Sequence, residues 1–291
     1  MERAEGLVNL EELEARCRDV RLSVLDQIEV AGSGHYGSAL SCVEILVSLY
    51  YGYLRVRPGE PRWPARDRFV LSKGHACSAV YPILADLGYF PRAWLSTFTR
   101  LGTHLGDHPD MNKVPGFDFS SGSLGHGLSI GIGMAEAVRL QGHDSRVVVL
   151  MGDGELDEGQ IWEAAAYAAH RRLGSVLGIV DANGVSVDGP TGDVLRLEPL
   201  GDKWRAFGWR VERVDGHDLG AIRRAYQRYD DARRDPDAPP TVLVADTIAG
   251  RGISFIEGMA EWHVGYLHGV DRARAEEEIR AGARQPIGVA R

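Results

Sequence analysis

The segment Val149-Leu150-Met151-Gly152-Asp153-Gly154-Glu155 decides how this chain is read. An apolar run ends abruptly in Gly-Asp-Gly, and a helical pattern resumes a few residues later over Glu158–Arg171. This is how a buried strand feeds a helix through a tight turn. Glycines let the backbone turn sharply and let a ligand come close. A single carboxylate between them suits Mg²⁺, which takes few ligands from protein and completes its shell with phosphate and water oxygens. The next apolar run, Val176–Asp181, leads into Ala182-Asn183, thirty residues beyond Asp153. Asn183 offers a neutral amide oxygen at the end of a neighbouring strand. Asp153 and Asn183 are therefore expected to meet over one ion, with the backbone carbonyl of Val185 as a natural third ligand. Alone, Gly-Asp-Gly usually marks only a strand-to-helix turn; the strand-end asparagine is what turns the reading towards a metal.

Working outward, two further runs read as buried strands, Arg68–Leu71 and Thr241–Ala245, and the run around Val149 extends over Arg146–Met151. A weaker fifth strand covers Trp209–Val214. Helical patterns lie between them at Ser78–Leu87, Leu124–Gln141, Glu158–Arg171 and Leu219–Arg234. The chain opens with an amphipathic helix from Leu7 to about Val30, followed by a turn at Ala31–His35 and a second helix to Tyr53 that Ser38 is expected to cap. Pro58–Pro64 and Asp235–Pro240 read as loops. Strand–helix alternation of this kind predicts an α/β fold, doubly wound, with a mainly parallel sheet flanked by helices. Residues 1–291 are read as a single domain. In such sheets ligands bind where strands end and helices begin, and the polar motifs cluster there. Gly131-Ile132-Gly133 lies inside a helical pattern and lacks a third small residue, so it is not a dinucleotide loop; its glycines are expected to permit close helix packing.

Composition narrows the function. The 291 residues are 44% hydrophobic and 25% charged, which is ordinary for a globular protein. A formal net charge of −8 argues against a general nucleic-acid binder, which needs a basic face. The three cysteines, Cys17, Cys42 and Cys77, form no paired motif, which argues against a disulfide framework or structural zinc and for a cytoplasmic protein. No segment reads as a signal peptide or a membrane span.

The pairing of Gly152-Asp153-Gly154 with Asn183 resembles the thiamine diphosphate fingerprint. Further motifs point within that group to transketolases. Ser33-Gly34-His35 and Leu71-Ser72-Lys73-Gly74-His75-Ala76 resemble two of the family's signatures. His108-Pro109-Asp110 is similar to the family's GHPE, and Ser121–Gly127 to its cofactor-packing loop. Trp262-His263 stands where the family has a late histidine, and the order matches from about Leu7 to about Gly269. The resemblance implies that Asp153, Asn183 and the carbonyl of Val185 hold Mg²⁺ or Ca²⁺, that Gly154 donates its N–H to a phosphate oxygen, and that Gly122, Ser123 and Leu124 contact the aminopyrimidine or the phosphate side. It places His35, His75 and His263 near the substrate and thiazolium, and His108 near the donor carbonyl. Imidazoles suit such a site because they trade protons and bind hydroxyls near neutral pH. Glu158 and Glu163 match glutamates at the family's subunit interface, and Asp181 is expected to support Asn183.

Three residues depart from the pattern: Tyr36 for proline, His126 for glutamine, and Asp110 for glutamate. The family's pyrimidine-binding domain, with the glutamate that activates the cofactor and the arginines that bind substrate phosphate, is not found before Arg291. The expectation is therefore the N-terminal subunit of a split transketolase-like transferase, completed by a C-terminal partner subunit in an α₂β₂ assembly. It would move a two-carbon ketol unit between a ketose and an aldehyde. The alternatives are the α subunit of a thiamine-dependent 2-oxoacid dehydrogenase or decarboxylase, which would not carry the histidine motifs, and a non-catalytic cofactor-binding subunit.

Overall fold

The computed structural model describes residues 8–282. The expected helix start at Leu7 and the two ends of the expected domain lie outside them. Helix α1 (Leu10–Ala31) is started by Asn9, whose side chain accepts from the Glu12 N–H at 2.7 Å, and stopped by Gly32 at φ 72°. It buries Leu13, Cys17, Val20, Val24 and Ile28, the stripe its spacing predicts. Then come α2 (Tyr36–Ser41), α3 (Val43–Gly52), β1 (Arg68–Leu71), α4 (Cys77–Asp86), α5 (His126–Leu140), β2 (Val147–Gly152), α6 (Gly159–His170) and β3 (Val176–Ala182). A short hairpin, β4 (Val185–Ser186) and β5 (Gly189–Pro190), leads through α7 (Thr191–Val194) and α8 (Leu200–Ala206) to β6 (Arg210–Asp215), α9 (Leu219–Ala232), β7 (Thr241–Asp246) and α10 (Gly269–Ala281).

The five long strands pair only in parallel, in the order β1-β2-β3-β7-β6. Both faces are covered over β1, β2, β3 and β7, which explains why these strands read as apolar runs, whereas the edge strand β6 is largely exposed and reads weakly. Along β2, Val148 and Leu150 point into a core shared with α1, α3, α4 and α9, while Val147, Val149 and Met151 point into a second core under α5, α6 and α8. The doubly wound parallel α/β fold is as predicted, with strand bounds within one residue of the expected ones.

Three local readings change. Ser38 does not cap a helix. His35 precedes α2, Ser38 lies inside it, and the helix breaks at Cys42 before α3 begins. Gly131 does allow close packing, since a Cβ there would sit 2.5 Å from Val149 Cγ2. Gly133 does not: it is exposed, with nothing within 4 Å of an added Cβ. Helix α10 had no sequence signal of its own, because only Ala275 and Ile279 of its thirteen residues are buried.

Parallel pairing brings the carboxyl ends of β1, β2, β3 and β7 to one edge. Ser72-Lys73, Asp153, Asn183 and Thr247 follow directly from those strand ends, and Asp181 is the last residue but one of β3.

Candidate active site

Asp153 leaves β2 at the start of a short 3₁₀ turn, Gly154–Asp157. One carboxylate oxygen accepts from the Gly154 N–H at 3.0 Å, the other from the Gly184 N–H at 2.7 Å. Asn183 Oδ1 accepts from the Val185 N–H at 3.0 Å, and Asn183 Nδ2 donates to Asp181 Oδ2 at 3.1 Å. The expected support of Asn183 by Asp181 is present: it turns the amide oxygen away from Asp181 and towards the loop that carries Val185.

Below these groups is a buried ion pair that the sequence reading did not single out. Lys73 Nζ contacts Asp181 and donates to the Ser38 carbonyl at 2.9 Å. Asp181 also accepts from the Ser41 and Thr247 hydroxyls. Burial pushes the Asp181 carboxyl up, but Lys73 and these donors outweigh it and hold the carboxyl below its usual range. Burial likewise penalises the Lys73 ammonium, and Asp181 more than restores it.

Asp153 has no such counter-charge in contact. Burial, and then the neighbouring Asp181, push its carboxyl up from 3.8 to about 7. A carboxylate in this position calls for a cation. Among the described residues no cluster of three or more His, Cys, Asp or Glu is placed to hold a metal. The donors at hand are instead one carboxylate, one amide and backbone oxygens, a hard all-oxygen set that fits Mg²⁺ or Ca²⁺ whose remaining ligands come from a phosphate. A Cβ on Gly154 would lie 3.1 Å from Ser186 Cβ, so glycine keeps this turn open.

Glu155, also unforeseen, is a buried clamp. It accepts from the Gly125 N–H at 2.9 Å, the Gly152 N–H at 3.1 Å and the Ser72 hydroxyl, tying the Ser121–Gly127 loop to the ends of β1 and β2. Burial raises its carboxyl against the pull of these donors.

The four histidines expected in the site converge. The His35 ring centre lies 5.1 Å from His75, 5.7 Å from His263 and 6.0 Å from His108, and His75 lies 5.4 Å from His263. His75 Nε2 meets the Ser38 hydroxyl at 2.9 Å. Burial first, then Lys73 and the neighbouring imidazoles, push His75 down to about 2; burial, His35 and Lys73 push His263 down to about 4. Burial also lowers His108. These three are therefore neutral imidazoles at neutral pH, each able to donate and accept a hydrogen bond.

A cavity of about 350 Å³ joins the two halves. Its walls include His35, His75, His108 and His263 together with Gly122, Leu124, Gly152, Asp153, Gly154, Glu158, Asn183 and Val185. Ser123 is exposed and does not line it, and neither does Glu163, which is exposed on α6. Ser38, Lys73, Glu155, Asp157, Ser186 and Asp188 are further wall residues. Of the three departures, Tyr36 is in the core, where its hydroxyl accepts from the Leu267 N–H at 3.4 Å. His126 is exposed at the start of α5, and Asp110 accepts from the Asn112 N–H in a tight turn, so neither lines the cavity.

A family model described as transketolase, thiamine diphosphate binding domain, matches residues 14–283. A 6-deoxy-6-sulfo-D-fructose transketolase subunit of Clostridium sp. (strain MSTE9) is 43% identical over 252 residues, 87% of this chain and 90% of that one. An apulose-4-phosphate transketolase subunit of Phocaeicola vulgatus is 38% identical over 271 residues, 93% of each. The crystal structure of transketolase from Campylobacter jejuni superposes with a TM-score of 0.87 at 28% identity over 94% of this chain, which spans 43% of the length of that one.

Proposed function

We propose, from the premise that this chain belongs to the transketolase family as its thiamine diphosphate-binding domain, that it is one subunit of a transferase that moves a two-carbon ketol unit from a ketose to an aldehyde. The observation that carries this reading is one cavity walled by the Asp153–Asn183 donors at one end and four clustered histidines at the other. Asp153, Asn183 and the Val185 carbonyl would hold Mg²⁺ or Ca²⁺ and, through it, the diphosphate, with the Gly154 N–H facing a phosphate oxygen. The bound cofactor supplies the nucleophilic carbon; the protein orients it and manages protons around it. Gly122 and Leu124 wall the cofactor's side of the cavity, and Ser123, exposed between them, would contact the cofactor from outside that wall. His35, His75, His108 and His263 face the sugar, where neutral imidazoles suit hydroxyl and carbonyl groups alike.

The chain acts as a single domain in the cytoplasm, with a C-terminal transketolase subunit supplying the pyrimidine-binding half in an α₂β₂ assembly. Glu158 and Glu163 lie on the face towards that assembly. Relatives matched over nearly their whole length are themselves named as subunits, which supports a divided enzyme. Those relatives are named for sugars bearing a sulfonate or a phosphate. By analogy the substrate here carries an anionic end. Lys73 is the one permanently cationic side chain among the described cavity residues, and Asp181 already occupies it. The partner's residues must therefore hold that anion.

The test is co-purification with the C-terminal partner, followed by assay of ketose and 2-oxoacid donors with thiamine diphosphate and Mg²⁺. Ketol transfer by the pair and none by the isolated chain is expected. Full turnover by the chain alone, or turnover of 2-oxoacids only, would overturn the proposal.

A further inference from the structure

Four imidazoles line the sugar end of the cavity, and one carboxylate touches two of them. Asp107 Oδ1 lies 3.5 Å from His35 Nδ1, and Asp107 Oδ2 lies 4.0 Å from His108 Nδ1. His35 Nδ1 is buried and has no hydrogen-bond partner among the described residues. Asp107 is its nearest acceptor, a few tenths of an ångström beyond a good hydrogen bond. Catalytic hydrogen bonds commonly stand this long in a ligand-free site and tighten when it fills.

Both backbones are anchored. The Tyr81 hydroxyl donates to the Gly106 carbonyl at 2.8 Å, and the Cys77 thiol to the Asp107 carbonyl at 3.1 Å, so α4 pins the peptide on both sides of Asp107. Gly34, just before His35, exchanges N–H···O bonds of 3.0 and 2.9 Å with Gly265. The Asp107 side chain is 42% exposed, yet one of its oxygens stands beside a buried ring nitrogen that has no other partner among the described residues, and its carboxyl is lowered chiefly by that imidazole.

We infer that Asp107 is a positioning residue that keeps the proton of His35 on Nδ1 and so presents Nε2 to the substrate as the cavity's proton acceptor. The inference rests on the ketol-transfer reading. Breaking the C2–C3 bond of a ketose leaves the bonding pair with the two-carbon unit, turns the C3 hydroxyl into an aldehyde carbonyl, and releases one proton. Joining that unit to the acceptor aldehyde turns a carbonyl oxygen into a hydroxyl and takes one proton up. A single imidazole with a free Nε2 balances both steps. His35 is centrally placed for it, with rings of His75, His108 and His263 on its flanks. The other titratable or charged groups around it are Asp107, Lys73 behind His75, and Asp188 beside His263.

The experiment has two arms. In the first, full-length chain carrying ¹⁵N-histidine is studied by long-range ¹H–¹⁵N spectroscopy. Wild type is expected to show His35 in the Nδ1–H form, and Asp107→Gly a shift towards the Nε2–H form, with Asp107→Glu restoring part of the wild-type signal. An unchanged His35 signal in Asp107→Gly overturns the inference. In the second, the assembled enzyme is assayed. Asp107→Gly is expected to lower kcat roughly tenfold and leave donor KM within about twofold, with Asp107→Glu restoring part of kcat. A shifted tautomer with an unchanged kcat overturns the role in proton transfer. Wild-type enzyme inert towards every ketose would overturn the proposed function, and the first arm would still decide the Asp107–His35 pairing.

Discussion

Asp153 and Asp181 are neighbours with opposite electrostatic fates. They stand at the ends of adjacent parallel strands, with Gly152 in register with Asp181 and the Asp153 N–H bonded to the Asp181 carbonyl at 3.2 Å. Asp181 is fully buried but meets Lys73 and two hydroxyls, and its carboxyl is held below the usual range. Asp153 receives two backbone N–H groups and no cation, and is pushed up to about 7. The difference teaches that burial alone does not set a carboxylate's behaviour; the charge next to it does. One carboxylate belongs to the scaffold, complete within this chain. The other has no counter-charge in contact among the described residues.

The largest effect should come from breaking the scaffold pair. Removing one partner of a buried ion pair costs about 3–5 kcal/mol, so Asp181→Asn or Lys73→Met should lower the unfolding free energy by roughly that amount. Lys73→Met combined with Asp181→Asn should cost clearly less than the two single losses together. Denaturant unfolding reads both, and additive losses would show that the two groups do not interact.

Next is the pH response of the metal-free chain. Asp153 has its folded value raised from 3.8 to about 7. It therefore favours folding most below about pH 4, and that contribution drains away as pH rises towards 7, by roughly 4 kcal/mol in all. Asp181, whose value is lowered, works the other way: its contribution holds above its unfolded value and is lost on acidification. Asp153→Asn should flatten the decline between pH 4 and 7, as should saturating Mg²⁺ with thiamine diphosphate. An equal slope in wild type and Asp153→Asn would assign the response elsewhere.

The same variant sharpens the comparison from the binding side. Asp153→Asn should weaken Mg²⁺-dependent thiamine diphosphate binding at least about 100-fold, since it removes the one charged ligand. Calorimetry on the assembled enzyme would settle it; an unchanged Kd would remove Asp153 from the metal site. The smallest effects belong to the hydroxyls on Asp181. Ser41→Ala and Thr247→Val should each cost about 1 kcal/mol in stability and change cofactor affinity only slightly.

The sheet could be read from the chain because four of its five strands, β1, β2, β3 and β7, are largely buried, so their hydrophobicity is continuous and local. Arg68–Leu71 stands where it was expected, and even the largely exposed edge strand β6 was found within a residue. Helix α10 was missed because two buried residues make no stripe. In the site, Asp153, Asn183 and the four histidines could be picked out because glycine, proline, tryptophan or a strand end flags each of them. Lys73 and Glu155 could not be picked out, because nothing local separates a buried charge from a solvated one; Ser38 was read only as a helix cap, and nothing local marks Asp107 as a partner of a histidine. Their partners lie far along the chain: Asp181 for Lys73, Gly125 for Glu155, His75 for Ser38 and His35 for Asp107.

By itself, then, the sequence determined the strand–helix alternation, the candidate oxygen donors at two strand ends and the set of histidines, since those depend on neighbours a few residues away. Only the tertiary structure decided which carboxylate meets a cationic side chain and which does not, which imidazole has an acid at its back, and that Tyr36 belongs to the core. Each of those is a question of what the fold brings within about 4 Å, where Coulomb and hydrogen-bond energies are large enough to choose between protonation states.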